Sequence, residues 1–199
     1  MTENGLGRRR QRDIIDRNAV ADEISVALTD SSVSEQRSKA LAVLQAALRE
    51  GREEISRRLI TMPSSGRSSA TDQAFLIDQI IRIAYDFVTT SLFPVANRSA
   101  AEKIAVVAVG GYGRGEMAPH SDVDIAFITP YKRTGWTEQV VEAMLYFLWD
   151  LGLKVGQSSR SIDETIKMAL EDLTIRTALL EGRFVWGDRE VYEEASIRF

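Results

Sequence analysis

The stretch IAVVAVGGYGRGEMAPHSDVDIAF, Ile104 to Phe127, decides how the rest of the chain is read. Ile104–Val109 is short, rich in β-branched residues and closed by glycines, which predicts a buried strand rather than a helix. Gly110 and Gly111 let the backbone turn sharply and place no side chain between main-chain N–H groups and an approaching anion. Tyr112–Met117 is expected to form a short helix whose positive N-terminal end, with Arg114 beside it, faces that anion. After a turn at Pro119, Ser121-Asp122-Val123-Asp124-Ile125-Ala126-Phe127 reads as a second strand. Residues two apart share a strand face, so Asp122 and Asp124 point together while Val123, Ile125 and Phe127 pack behind.

Two carboxylates about 6–7 Å apart on one strand face repel each other unless a cation lies between them. Mg²⁺ suits such a pair, because it takes hard oxygen ligands and completes its octahedron with water and phosphate. A glycine turn followed twelve residues later by paired aspartates therefore points to transfer of a nucleotide from a nucleoside triphosphate. Gly110, Gly111, Arg114 and Ser121 are the candidate nucleotide-binding residues, and Asp122 and Asp124 the candidate metal ligands and catalytic carboxylates. Taken alone, a GG-x-G turn or an Asp-x-Asp pair is a weak signal; the order and spacing of the two give the combination its weight. His120 is the only histidine. Its place before the strand reads as a turn residue sooner than a general base.

The composition sets outer bounds. A chain of 199 residues has room for one medium domain with a helical extension. The apolar share of 44% and charged share of 27% are those of an ordinary globular protein. A net charge of −4 argues against general nucleic-acid binding. There is no cysteine, which excludes disulfides, thiolate catalysis and cysteine-ligated zinc. No run of about 18 apolar residues and no leader-like apolar stretch occurs, so no membrane span or signal peptide is expected and the cytoplasm is the default.

Around the central stretch the pattern is mostly helical. Arg8-Arg9-Arg10 and Arg12 read as a solvated tail. Asp13–Leu28 has a loose helical pattern, and Ser32 with Glu35 has capping-box spacing ahead of a stronger helix carrying Leu41, Leu44, Leu48, Ile55 and Leu59. Gly51 is expected to bend that helix. Pro63–Ser69 reads as a loop, with Thr71 capping a helix from Asp72 to Leu92. Glu138–Leu151 is helical, Leu153–Ser159 a third strand, and Thr165–Phe184 mostly helix behind a Ser161/Glu164 cap. Trp186-Gly187-Asp188 is expected to be a turn before a helix that runs to the end of the chain.

The pattern GG-x-GR…SD-x-D resembles the polymerase-β-type nucleotidyltransferase superfamily. With Val107–Phe127, LWDLGLKVG (Leu148–Gly156) and TIRTALLEGRFVWGD (Thr174–Asp188), the chain is similar to the N-terminal nucleotidyltransferase region of the bifunctional PII uridylyltransferase/uridylyl-removing enzymes. The resemblance covers about Leu76 to Asp188. It implies an α+β fold with a small mixed sheet flanked by helices, preceded by a helical, partly flexible extension over residues 1–70, with the nucleotidyltransferase domain at 71–199. It also implies Mg²⁺-dependent transfer of UMP from UTP to a tyrosine of the nitrogen-regulatory protein PII, with release of pyrophosphate. The family's hydrolase and glutamine-binding domains are not in this sequence, so the chain is expected to be the first part of a longer protein.

The superfamily commonly uses a third carboxylate on a later strand. The third strand here has none, which leaves Asp163 and Glu164, just past its end, as the nearest candidates, Asp163 foremost; both also suit the first turn of a helix. Gln157 and Gly182 depart from residues usual in the family; Gln157 is a candidate neighbour of the nucleotide. Lys154, Arg160 and Arg176 read as surface cations. Two alternatives stand beside the uridylyltransferase reading: transfer to another acceptor, and a non-catalytic nucleotide-binding fragment.

Overall fold

Strand β1 (Ala105–Ala108) is buried along its whole length, as its unbroken run of small and β-branched apolar residues requires. The computed structural model describes residues 11–29, 31–63, 65–96 and 99–199. The arginine run at 8–10 lies outside them. Strand β2 (Val123–Thr129) lies antiparallel to β1, with Val106 opposite Phe127. Strand β3 (Val155–Ser161) lies parallel to β2, with Asp124 opposite Gly156. Strand β4 (Arg183–Gly187) pairs antiparallel with the other edge of β1, giving the order β3-β2-β1-β4.

Alternation along the strands sorts the side chains onto two faces. Val106, Ala108, Val123, Ile125 and Phe127 join the larger core. Helices α1 (Arg17–Leu28), α2 (Val33–Thr61) and α3 (Gly66–Phe87) contribute to that core through Ile24, Leu44, Ile55, Leu76 and Ile80. Helix α5 (Gly135–Asp150), which links β2 to the parallel β3, adds Val140, Met144, Phe147 and Leu148. Phe147 and Phe87 meet with ring centroids 5.6 Å apart. The N-terminal helices thus share one continuous apolar cluster with the sheet.

The opposite face presents Ala105, Val107, Ala126 and Ile128. It packs on Ile162 of α6 (Ile162–Glu171) and on Val191 and Ala195 of α8 (Arg189–Arg198). Asp124 and Ala126 are two apart on β2, so the aspartate lies on this second face.

Several local expectations hold at the level of hydrogen bonds. The Ser32 N–H donates to Glu35 at 2.9 Å and the Ser161 N–H to Glu164 at 2.9 Å, each half of a capping box. Others change. Gly51 does not bend α2, which runs unbroken from Val33 to Thr61. A methyl group there would stand 2.6 Å from Leu76 Cδ1 and 3.0 Å from the Ile14 carbonyl, so this glycine lets α2 press against α3. The helix α3 starts at Gly66, inside the segment read as a loop, and continues as a π-helical turn over Val88–Leu92. The glycine turn forms a single helical turn, α4 (Gly110–Gly113), rather than a helix to Met117.

The span Thr165–Phe184 is not one helix. Asp172 interrupts it by accepting from the N–H groups of Thr174 (2.7 Å) and Ile175 (3.3 Å), ending α6 and capping α7 (Leu173–Leu180). Phe184-Val185-Trp186 then forms β4 instead of a helix end and turn, because the open edge of β1 offers these β-prone residues a partner.

Candidate active site

Asp122 is exposed just ahead of β2, and Asp124 is half-buried one step into it. The turn that delivers them is Ala118-Pro119-His120-Ser121, closed by the Ser121 N–H on the Ala118 carbonyl at 3.1 Å. His120 has φ of 63°, the left-handed conformation that the third position of such a turn demands. The histidine is therefore a turn residue, as its position suggested. No partner for the Ser121 hydroxyl appears among the described residues.

Asp124 is seated between two glycines. Its backbone carbonyl accepts from the Val109 N–H at 3.0 Å, which ties β2 to the glycine turn. A Cβ on Gly110 would come within 3.4 Å of Oδ2, and one on Gly156 would collide with Oδ1. Gly110 also has φ of +60°, so it is required for the turn as well as for the space. Burial raises the Asp124 carboxyl above its ordinary range, and the neighbouring Asp122 charge raises it further. The paired carboxylates thus carry an unfavourable interaction that a cation between them relieves.

The N–H groups of Gly113, Arg114, Gly115 and Glu116 are used inside the turn. Those of Gly110, Gly111 and Tyr112 meet no acceptor among the described residues, leaving three donors for an anion. Gly111 has ordinary backbone geometry, and a methyl group there would make only normal contacts, 3.6 Å from an Arg114 nitrogen. Any demand for glycine at 111 comes from what approaches the turn. Arg114 pairs with Glu181 at 2.6 Å rather than with Glu116 or Asp122; Glu116 meets Arg67 at 3.3 Å.

A buried network holds the turn from behind. The Tyr112 hydroxyl donates to Asp78 of α3 at 2.6 Å. Arg183 of β4 grips the same carboxylate with two nitrogens, at 2.7 and 3.0 Å, and donates to the Tyr112 and Gly113 carbonyls at 3.3 Å each. Burial, and then the Asp78 charge, raise the Tyr112 phenol well above its ordinary value, so it stays a neutral donor. Burial opposes the Arg183 charge, but Asp78 outweighs it and holds the guanidinium above its usual range. This brace was not read from the sequence, since Asp78 and Arg183 are 105 residues apart and neither belongs to a local motif.

Asp163 stands elsewhere. The register of β2 and β3 runs from Asp124/Gly156 to Thr129/Ser161, five steps or about 17 Å, and Asp163 lies beyond that far end. It occupies the first turn of α6 and pairs with Arg198 at 2.5 Å. The structure therefore does not bring it to the aspartate pair. Among the described residues no group of three or more acidic, histidine or cysteine side chains could hold a metal together. The donors at the site are two carboxylates. That set fits Mg²⁺, which is commonly held by one or two protein carboxylates with water and phosphate oxygens as its other ligands.

From Asp124 a cleft runs along the sheet. Gly110, Gly156, Ser158 and Arg160 line it with Asp124 and Ala126, and Ile175, Ala178 and Leu179 of α7 wall its other side. Arg160, read from the sequence as a surface cation, is one of its half-buried lining residues. Lys154 and Arg176 are exposed. Gln157 lines both this cleft and a second one against α5.

Residues 94–185 match the nucleotidyltransferase domain family. The chain is 60% identical over 190 residues to the bifunctional uridylyltransferase/uridylyl-removing enzyme of Erythrobacter litoralis, an alignment covering 96% of this chain and 21% of that protein. It is 58% identical over 189 residues to the protein of the same description from Novosphingobium aromaticivorans, covering 95% and 21%. To that of Rhodospirillum rubrum it is 50% identical over 194 residues, covering 96% and 20%. The chain spans about a fifth of the length of these curated relatives. Among the described residues no helix is long and apolar enough to cross a membrane.

Proposed function

We propose, for a chain that carries a nucleotidyltransferase domain, that it transfers UMP from UTP to a tyrosine of the regulatory protein PII and releases pyrophosphate. The observation that carries the transfer chemistry is the seating of Asp124 between Gly110 and Gly156, with Asp122 beside it and three unused N–H donors at the adjoining turn. The choice of UTP rests on the names of the relatives, and that of PII on the resemblance in sequence.

In this reading the free N–H groups of Gly110, Gly111 and Tyr112 bind the β- and γ-phosphates, and Arg114 adds charge from the edge of the turn. Asp122 and Asp124 would hold Mg²⁺. When bound, Mg²⁺ supplies charge neutralisation at the α-phosphate and at the departing pyrophosphate. The tyrosine hydroxyl loses its proton to solvent as its oxygen attacks the α-phosphorus; a new P–O bond forms, and the bond to the bridging α–β oxygen breaks, releasing pyrophosphate. The contribution of this chain is to hold the triphosphate in line against the acceptor, which is most of what such a transfer needs from a protein.

The test is incubation of the chain with Mg²⁺ and UTP labelled at the α-phosphate, with PII and with PII lacking its acceptor tyrosine. Label is expected on PII only when the tyrosine is present, and to disappear with Asp124→Asn. Label arriving on a different acceptor would leave the nucleotidyltransferase chemistry and refute the choice of PII. No nucleotide bound or transferred by the folded chain would refute both.

A further inference from the structure

The cleft beyond Asp124 contains a cation that the triphosphate does not need. Arg160 is half-buried, and its guanidinium makes no ion pair or hydrogen bond among the described residues. It lies opposite Ile128, four residues along the strand from the Asp124/Gly156 register and so about 13 Å from the carboxylate pair. Ser158, on the same strand face and nearer the aspartates, is half-buried and likewise without a described partner. Between these two residues and the glycine turn the cleft is apolar, with Ala126 on one side and Ala178 and Leu179 on the other.

We infer that Arg160 and Ser158 form a base-reading subsite that recognises a carbonyl on the edge of a pyrimidine; this rests on the nucleotidyl-transfer reading above. A half-buried guanidinium left without a partner is an unmet set of donors, and the occupant that meets it must supply acceptors. The phosphates already have a seat at the glycine turn and the aspartate pair. The apolar walls between the glycine turn and Arg160 suit the flat, uncharged faces of a base better than a second anionic group. With the α-phosphate at Asp122 and Asp124, the base extends along this passage and brings its edge toward Arg160. Uracil presents the O4 acceptor where cytosine presents an N4 amino group, so a donor-only guanidinium favours the first and leaves donor against donor with the second. Ser158 can donate or accept, which lets it serve a neighbouring position on the same edge.

The experiment compares the dissociation constants of Mg–UTP, Mg–CTP and Mg–tripolyphosphate for the wild type, Arg160→Lys and Arg160→Met, each checked for an unchanged thermal melt. The wild type is expected to prefer UTP over CTP by roughly 10- to 100-fold, the discrimination expected when the wrong base leaves a donor facing a donor. Arg160→Met should bring that ratio close to one and Arg160→Lys should keep only part of it, while tripolyphosphate affinity changes less than about twofold in either. Lysine keeps the charge and a donor but not the planar reach of the guanidinium, so a ratio lost with methionine and partly kept with lysine marks reading of the base by a donor. A ratio preserved in both variants overturns the assignment. So does a loss of tripolyphosphate affinity in step with UTP, which would make Arg160 a phosphate contact. A folded wild type that binds none of the three ligands overturns the nucleotidyl-transfer reading itself, and the subsite with it.

Discussion

Gly156→Ala separates the geometry of the site from the stability of the fold. The residue is exposed and its φ lies outside the left-handed region, so alanine fits the backbone. Exchanging glycine for alanine in a strand favours the folded state by roughly 0.5–1 kcal/mol through the unfolded chain. The added methyl group, however, collides with Asp124 Oδ1. The carboxylate has to swing away, at a strain of about 0.5–1.5 kcal/mol for a side chain forced some 30° off its rotamer. The two contributions nearly cancel, and the urea midpoint should give a stability within about 1 kcal/mol of wild type. Transfer should not survive so well, since displacing a positioned group by about 1 Å costs on the order of 100-fold in rate. The assay is label transfer from UTP beside equilibrium unfolding, with Gly66→Ala as control because no atom lies within 4 Å of its added methyl. Gly156→Ala transferring within threefold of wild type, roughly 0.6 kcal/mol, would refute the claim that the bare strand position seats Asp124.

Other substitutions probe the remaining parts. Asp122→Asn and Asp124→Asn should each lower transfer by about 10³-fold or more, because metal-assisted stabilisation is worth several kcal/mol, with folding intact by circular dichroism. Asp78→Ala should destabilise the chain by about 3–5 kcal/mol in urea unfolding, since it leaves Arg183 without its buried partner. The double replacement Asp78→Leu with Arg183→Met should recover only part of that loss, because the buried Tyr112 hydroxyl is left without its acceptor. Asp163→Ala removes an exposed pair with Arg198 and should cost no more than about 1 kcal/mol, with Mg–UTP affinity unchanged by calorimetry.

What the sequence disclosed was local. The β1–turn–β2 unit was legible because its signals lie within two dozen residues: a β-branched run, glycines at a turn, and aspartates at strand spacing. The capping boxes at Ser32 and Ser161 were legible for the same reason. What escaped depended on partners distant in the chain. Phe184-Val185-Trp186 follows a helical stretch and becomes a strand only because β1 has a free edge. Gly51 looked like a bend in the helix, and only the approach of Leu76 shows why a side chain is excluded. Gly156 carried a usable hint, since a glycine inside a strand often marks the close approach of another group. Arg160 looked like one more surface cation because nothing in the sequence shows that α7 walls its side of the sheet.

The Asp78–Arg183–Tyr112 tie bears on how portable the chemistry is. The region matched to the nucleotidyltransferase domain family is 94–185, which includes Arg183 and Tyr112 but leaves Asp78 outside. A graft limited to that span would move the glycine turn without the carboxylate that anchors it. Arg183 would then arrive as an uncompensated half-buried cation. The smallest transplantable cassette therefore begins upstream, with the α3 segment that carries Asp78, and ends no earlier than the strand that carries Arg183.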